Sequence, residues 1–177
     1  MALPSGNVRR WEWLADLCRC RGYTSGVELG VKEGRTTAFL LAKEPGLRLV
    51  AVDLWDLVPA NDVEQYAGWN WNEIKEQFRS STAPYAARLS FHQMGTLEAA
   101  KLYAKRKARF DFVFIDANHS FSGVQADIRA WRPLIRAGGT VCGHDIDLAS
   151  VYMAVTAEFE SWSAWKHRSD SMWWSSV

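Results

Sequence analysis

The run Phe112-Val113-Phe114-Ile115 has no polar face. A strand of that kind is buried on both sides, so it belongs in the middle of a sheet with helices on each face. At 177 residues the chain is long enough for one good core of this type. The rest of the sequence agrees, because short apolar runs alternate with segments of helical period.

The expected order begins with a helix over 8–20, a strand over 26–29 and a helix over 36–43 closed by Pro45-Gly46. A strand over 48–54, an irregular stretch over 56–70 and a helix over 71–80 follow. Next come a strand over 89–94, a helix over 96–106 and the central strand over 111–115. A helix over 122–135, stopped by Ala137-Gly138-Gly139, leads to a strand over 140–143 and a helix over 149–162. Strands over 164–168 and 171–176 around Ser169-Asp170-Ser171 form a closing hairpin. The expectation is an α/β, Rossmann-like, doubly wound and mostly parallel sheet of seven strands with a C-terminal antiparallel hairpin. One domain over 1–177 is expected, with the N-terminal helix inside 1–24.

Composition bounds the partners only loosely. The formal net charge of +1 argues neither for nor against a polyanion. No apolar run is long enough to span a bilayer, and Met1 to Trp13 lacks a signal-peptide core, so no membrane partner and a cytoplasmic location are expected. Cys18, Cys20 and Cys142 make neither a disulfide framework nor a zinc spacing and read as small packing thiols. The basic run Lys101 to Arg109 is explained by a solvated helix C-terminus, so nucleic acid is not the favoured partner. Ten tryptophans are unusual. Most should pack in the core, but Trp69, Trp71, Trp173 and Trp174 are candidates for a site or a subunit contact, and exposed ones would hint at a homodimer.

In open α/β sheets, ligands bind beyond the carboxyl ends of the strands. Polar or small residues stand at five such ends here: Gly30, Asp53, Gly95-Thr96, Asp116 and His144-Asp145. The segment Val27-Glu28-Leu29-Gly30-Val31-Lys32-Glu33-Gly34-Arg35-Thr36 reads as a strand, a glycine-spaced turn and a helix start. Gly30 and Gly34 clear the turn, and the helix N-terminus offers N–H groups to an anion. Glu28 inside the strand needs backbone donors or a ligand ammonium, or else a salt bridge. Asp53, 19 residues past Gly34, has the spacing of an acid that bonds a ribose, although a plain strand-end carboxylate gives the same pattern. Glu-x-Gly-x-x-x-Gly lacks the second close glycine of a dinucleotide turn, and an acid there suits a ligand with a positive amine and sulfonium better than a pyrophosphate.

Phe112-Val-Phe-Ile-Asp116-Ala-Asn-His119-Ser-Phe-Ser-Gly-Val-Gln-Ala-Asp127, followed by Trp131-Arg-Pro-Leu-Ile-Arg-Ala-Gly138-Gly139 and Gly143-His144-Asp145, resembles class I S-adenosylmethionine-dependent methyltransferases. The branch it resembles is methyltransferase family 24, near the sugar, macrolide and catechol-type O-methyltransferases. The resemblance implies S-adenosylmethionine as cofactor, with Glu28, Gly30 and Gly34 shaping its methionine end. It implies Thr36 at the methionine carboxylate or as a helix cap, Asp53 at the ribose, and Gly95 and Thr96 beside the adenine. Metal-dependent members would use Asp116 and the adjacent His144-Asp145. Mg2+ prefers oxygen ligands, so His144 points to another divalent metal, a substrate contact or a supporting role. His119 matches a general base near the acceptor hydroxyl, or else caps the next helix through Ser120 or Ser122. Asp127 and Trp131 read as structural.

The implied reaction is in-line O-methyl transfer to a small-molecule or saccharide hydroxyl, with Asp116 and His119 as the catalytic pair. The segment 56–71, with Tyr66, Trp69 and Trp71, is a candidate lid or plain packing. The rival readings are an NAD-type oxidoreductase, for which the third close glycine and a tyrosine–lysine pair are not evident, and a non-catalytic nucleotide- or nucleic-acid-binding module.

Overall fold

The computed structural model describes residues 8–55, 68–167 and 170–177. Most of the expected lid, Tyr66 included, and Ser169 of the expected turn lie outside the described residues. The elements run α1 (Arg10–Arg21), β1 (Ser25–Leu29), α2 (Arg35–Lys43), β2 (Arg48–Asp53), α3 (Trp71–Thr82), a 3-10 turn (Ala83–Arg88) and β3 (Leu89–Gln93). They continue with α4 (Thr96–Lys105), β4 (Phe110–Ile115), α5 (Phe121–Trp131), a second 3-10 turn (Arg132–Leu134), β5 (Ile135–His144), α6 (Ala149–Glu158), β6 (Ser163–His167) and β7 (Asp170–Ser176).

The strands form one seven-stranded sheet in the order β3-β2-β1-β4-β5-β7-β6. The first five pair in parallel, and β7 and β6 add antiparallel. The all-apolar β4 explains the layering. Its Phe112 and Phe114 join a core with α1 and α2, while Val113 and Ile115 join the opposite core with α4, α5 and α6. Neighbouring residues therefore serve opposite faces, as the pleat requires.

The C-terminal half departs from expectation in several places. The helix expected to reach residue 135 stops at Trp131, because Pro133 lacks an N–H and resists a continued helix. Ile135 already pairs with Phe110, and a register irregularity follows before Phe112 pairs with Thr140. Ala137-Gly138-Gly139 is thus an irregular stretch within β5 and not a helix stop; Gly138 has φ +80°. The last helix also ends early, at Glu158, where Phe159 turns extended and buries against Trp173. Asp170 and Ser171 belong to β7 instead of the turn. The 3-10 turn before β3 was not expected. It places the Arg88 guanidinium to donate to the carbonyls of Leu41, Glu44 and Leu47, which closes the C-terminal end of α2.

The tryptophans are buried or half-buried. Trp13, Trp55, Trp131 and Trp173 are buried, and Trp174 packs on Trp13 with ring centroids 4.9 Å apart. No helix among the described residues is long and apolar enough to cross a membrane.

Gly30 has φ +79°, and a Cβ there would meet the Asp116 carbonyl oxygen at 2.0 Å. Gly46 meets nothing within 4 Å. We predict that Gly30→Ala lowers unfolding free energy by roughly 2 kcal/mol or more, whereas Gly46→Ala changes it by under about 1 kcal/mol. Urea unfolding of both variants checks this; equal effects would refute the close-approach role of Gly30.

Candidate active site

The order reversal between β1 and β4 opens a crevice at the carboxyl edge of the sheet, where doubly wound sheets place their ligands. A cavity of about 740 Å³ fills it. Its walls include Glu28, Gly30 and Thr36, then Asp53, then Gly95 and Thr96, then Asp116 and His119. Four of the five polar strand ends therefore share one chamber. Gly34 does not line it. Gly34 is the left-handed N-cap of α2, and a Cβ there would press on Phe78 at 2.6 Å.

The turn is held tightly from behind. One Asp53 oxygen accepts the N–H groups of Val31 (2.7 Å) and Lys32 (2.8 Å), and the other accepts that of Trp55 (3.0 Å). Asp53 is thus the clamp of the glycine turn as well as part of the wall, and a carboxylate of about four acceptor positions has capacity left for a ligand. Glycines cap two of the helices that start at the chamber, Gly34 on α2 and Gly95 on α4, and neither makes a side-chain cap bond. By contrast, Asn70 caps α3 and Ser120 caps α5 through their side chains. The cap role considered for Thr36 falls to Gly34, and Thr36 is a buried residue of the first turn of α2.

Glu28 is 3% exposed, and its carboxylate accepts a short hydrogen bond from the Thr37 hydroxyl. No cation pairs with it among the described residues, so the salt-bridge alternative is not what forms. Burial pushes its pKa up to about 8, against the pull of the Thr37 hydrogen bond. Thr96 turns its hydroxyl to Asp127 at 2.5 Å, and the Trp131 indole donates to the Thr96 carbonyl at 3.2 Å. Asp127 and Trp131 are buried supports of that wall, and burial raises the Asp127 pKa to about 6 despite the Thr96 hydroxyl.

Behind the His119 end, carboxylates and imidazoles alternate. His119 Nε2 lies 3.4 Å from Asp116 and 2.9 Å from Asp145. His144 Nδ1 lies 2.9 Å from Asp145 and 3.7 Å from Asp116, and its Nε2 bonds Asp170 at 2.6 Å. Ligand atoms of Asp116, His144 and Asp145 come within 4.8 Å of one another, close enough to share an ion. The carboxylates Asp116 and Asp145 hold the His119 pKa up to about 10. Burial pulls His144 down, but Asp145 and Asp170 outweigh it and raise its pKa to about 9. Burial disfavours the Asp145 anion, yet its two imidazole partners keep it far below the usual carboxylate range. The cap for the following helix comes from Ser120, which accepts from the Gly123 N–H at 3.1 Å, so the His119 ring is left to the carboxylates.

A family model described as a methyltransferase domain matches residues 27–146. The chain belongs to methyltransferase family 24. It is a class I S-adenosylmethionine-dependent methyltransferase, and the oxidoreductase and non-catalytic readings fall away. No curated protein sequence matches this methyltransferase. Among solved structures it is similar to the O-methyltransferase from Bacillus cereus in complex with S-adenosylhomocysteine, at 18% identity and TM-score 0.71, covering 99% of this chain and 84% of that one. It is also similar to TomG from Streptomyces achromogenes, an O-methyltransferase of tomaymycin synthesis in complex with S-adenosylmethionine, at 18% identity and TM-score 0.75, covering 98% and 81%. CalS11, a TDP-rhamnose 3'-O-methyltransferase of calicheamicin biosynthesis, matches at 15% identity and TM-score 0.63, covering 90% and 76%.

Three residues of the methyltransferase's site escaped the sequence reading. Thr37 supports Glu28 from α2, Asp170 supports His144 from β7, and Arg10 enters the cavity wall from α1. A buried acid in the first strand calls for a donor on the helix packed over it, and that hint would have found Thr37.

Glu28 gives a signed pH test. Below the ordinary value of about 4.5 it is protonated folded or unfolded. Between there and about 8 only the unfolded chain ionises, so stability drains away as pH rises and levels off above. Glu28→Gln removes that loss. We predict that the variant gains on the parent between pH 5 and pH 9, by on the order of 4 kcal/mol. Urea unfolding at both pH values checks this, and a difference that does not change with pH would refute the assignment.

Proposed function

We propose that this methyltransferase transfers a methyl group from S-adenosylmethionine to a hydroxyl of a small-molecule or saccharide acceptor, with a divalent metal at Asp116, His144 and Asp145. The supporting observation is the single chamber that gathers the ends of β1, β2, β3 and β4. The buried carboxyl of Glu28 fits an ammonium, the N-terminus of α2, whose Gly34 cap offers no side-chain bond, fits a carboxylate beside Thr36, and Asp53 retains acceptor capacity for a ribose hydroxyl. Gly95 leaves open space where its Cβ would stand, which suits a flat ring beside Thr96. The saccharide reading draws on likeness to CalS11.

S-adenosylmethionine supplies an activated methyl group on a sulfonium. The protein's part is to hold that end against Glu28 and Gly30 and to align the acceptor oxygen from the Asp116–His119 side. The donor set also fits a metal. Asp170 bonds His144 Nε2 and fixes the ring, so that Nδ1 faces Asp116 and Asp145 and would become a ligand once an ion displaced its proton. A bound divalent ion would lower the pKa of an acceptor hydroxyl. His119 acts as the base only when Asp116 and Asp145 engage another cation, because paired as they are they keep its ring protonated.

Isothermal titration tests the reading. S-adenosylmethionine and S-adenosylhomocysteine should both bind, and Asp53→Ala should weaken each by roughly 1–3 kcal/mol. The imidazole ligand predicts that Mn2+ or Co2+ binds at least about tenfold more tightly than Mg2+. Failure of both nucleosides to bind would overturn the cofactor assignment; no metal uptake at all would remove the metal and leave the rest.

A further inference from the structure

Arg10 sits where a cation is electrostatically out of place. It is the first residue of α1, at the positive end of the helix dipole. Asp170 compensates, accepting the Arg10 backbone N–H at 3.0 Å and standing 3.6 Å from its guanidinium. On the other side Nε lies 3.8 Å from Asp116. Both side-chain approaches are longer than a charge-assisted hydrogen bond, which runs about 2.7–2.9 Å. Nε is buried with no hydrogen-bond partner, although the side chain as a whole is 27% exposed and lines the cavity. A planar fork is therefore held beside the chamber with donor capacity unspent, next to the Asp116–His119 wall.

We infer that Arg10 is an anion-recognising residue of this cavity, whose guanidinium receives a carboxylate or phosphate group of a bound substrate. This rests on the methyltransferase reading of the chamber for which substrate brings the anion. Two sources share the chemistry: the carboxylate of the methyl donor's amino-acid tail, and an anionic group on the acceptor. Arg suits either, because its fork meets such groups in a two-pronged geometry that a lysine does not reproduce. Glu28, on the same cavity wall, is a buried carboxyl that an arriving ammonium would ionise, so each end of a zwitterion meets a fitting group in the chamber.

The test compares the parent protein with Arg10→Gln and Arg10→Lys by calorimetric titration with three probes. These are S-adenosylhomocysteine, 5'-methylthioadenosine (which lacks the amino-acid tail) and inorganic phosphate. If the donor's carboxylate is the guest, Arg10→Gln weakens S-adenosylhomocysteine by roughly tenfold or more and leaves 5'-methylthioadenosine unchanged. If the acceptor's anion is the guest, both nucleosides keep their affinity, and phosphate binds the S-adenosylhomocysteine-saturated parent but not Arg10→Gln. In either case Arg10→Lys recovers only part of the loss. Equal weakening of both nucleosides would mean that Arg10 merely holds α1 in place and would overturn the inference, as would no change with any probe. If neither nucleoside binds the parent, the cofactor reading fails instead, and phosphate titration of the ligand-free proteins still decides Arg10.

Discussion

The structure turns on how closely the ends of β1 and β4 approach. The Asp116 N–H donates to the Leu29 carbonyl at 2.8 Å, and the Gly30 N–H donates to the Val52 carbonyl at 2.9 Å. Three strand ends are thereby stitched together just where the crossovers part to opposite faces. Gly30 stands against the Asp116 carbonyl with no room for a side chain. From this junction the chain leaves β1 toward α2 and leaves β4 toward α5, and the gap between the departures is the cavity. Asp53 then ties the outgoing turn to β2 through Val31 and Lys32. One steric fact thus sets the shape of the chamber and the place of its acids.

Those acids are costly where they are. Glu28 lies inside a strand between Val27 and Leu29, both fully buried. A folding core would be better served by an apolar residue there, since burial penalises the ionised form. Thr37 satisfies one acceptor position, and the polarity that remains faces the cavity. Asp145 and Asp170 differ, because the sheet edge brings two imidazoles and one guanidinium near them, and these partners outweigh burial and hold both carboxyls below their ordinary range. At Glu28, then, local stability is given up on the wall of the cavity, a pattern typical of functional sites.

The fold was legible in the sequence because its code is local. The unbroken apolar run of β4, the strand–helix alternation and the acid or glycine at successive strand ends all act within a few residues of each other. The site residues at those ends were legible for the same reason. Thr37, Asp170 and Arg10 were not, because each acts on a partner brought near by packing: Thr37 on Glu28 nine positions away, Asp170 on His144 twenty-six away and Arg10 on Asp170 a hundred and sixty away. The beginning of β5 was hidden for a related reason. Gly138-Gly139 is ordinary helix-ending chemistry, and only the pairing of Ile135 with Phe110 shows that the strand has already begun.

The antiparallel hairpin does more than extend the sheet. β7 pairs with β5 so that His144 stands opposite Met172 and Asp145 donates its N–H to the Ser171 carbonyl at 3.1 Å. That register carries Asp170, 2% exposed, under the His144 ring and the first turn of α1 at once. An imidazole with one nitrogen fixed to a carboxylate has its orientation set, and here its other nitrogen is aimed at Asp145 and Asp116. A helix in place of β7 would cover the apolar face of β5, but it would not deliver a carboxylate to that nitrogen at that depth. The hairpin therefore helps to build the Asp116–His144–Asp145 corner, and a slip of one residue in its register would turn Asp170 to the opposite face and leave both His144 and Arg10 without their shared support.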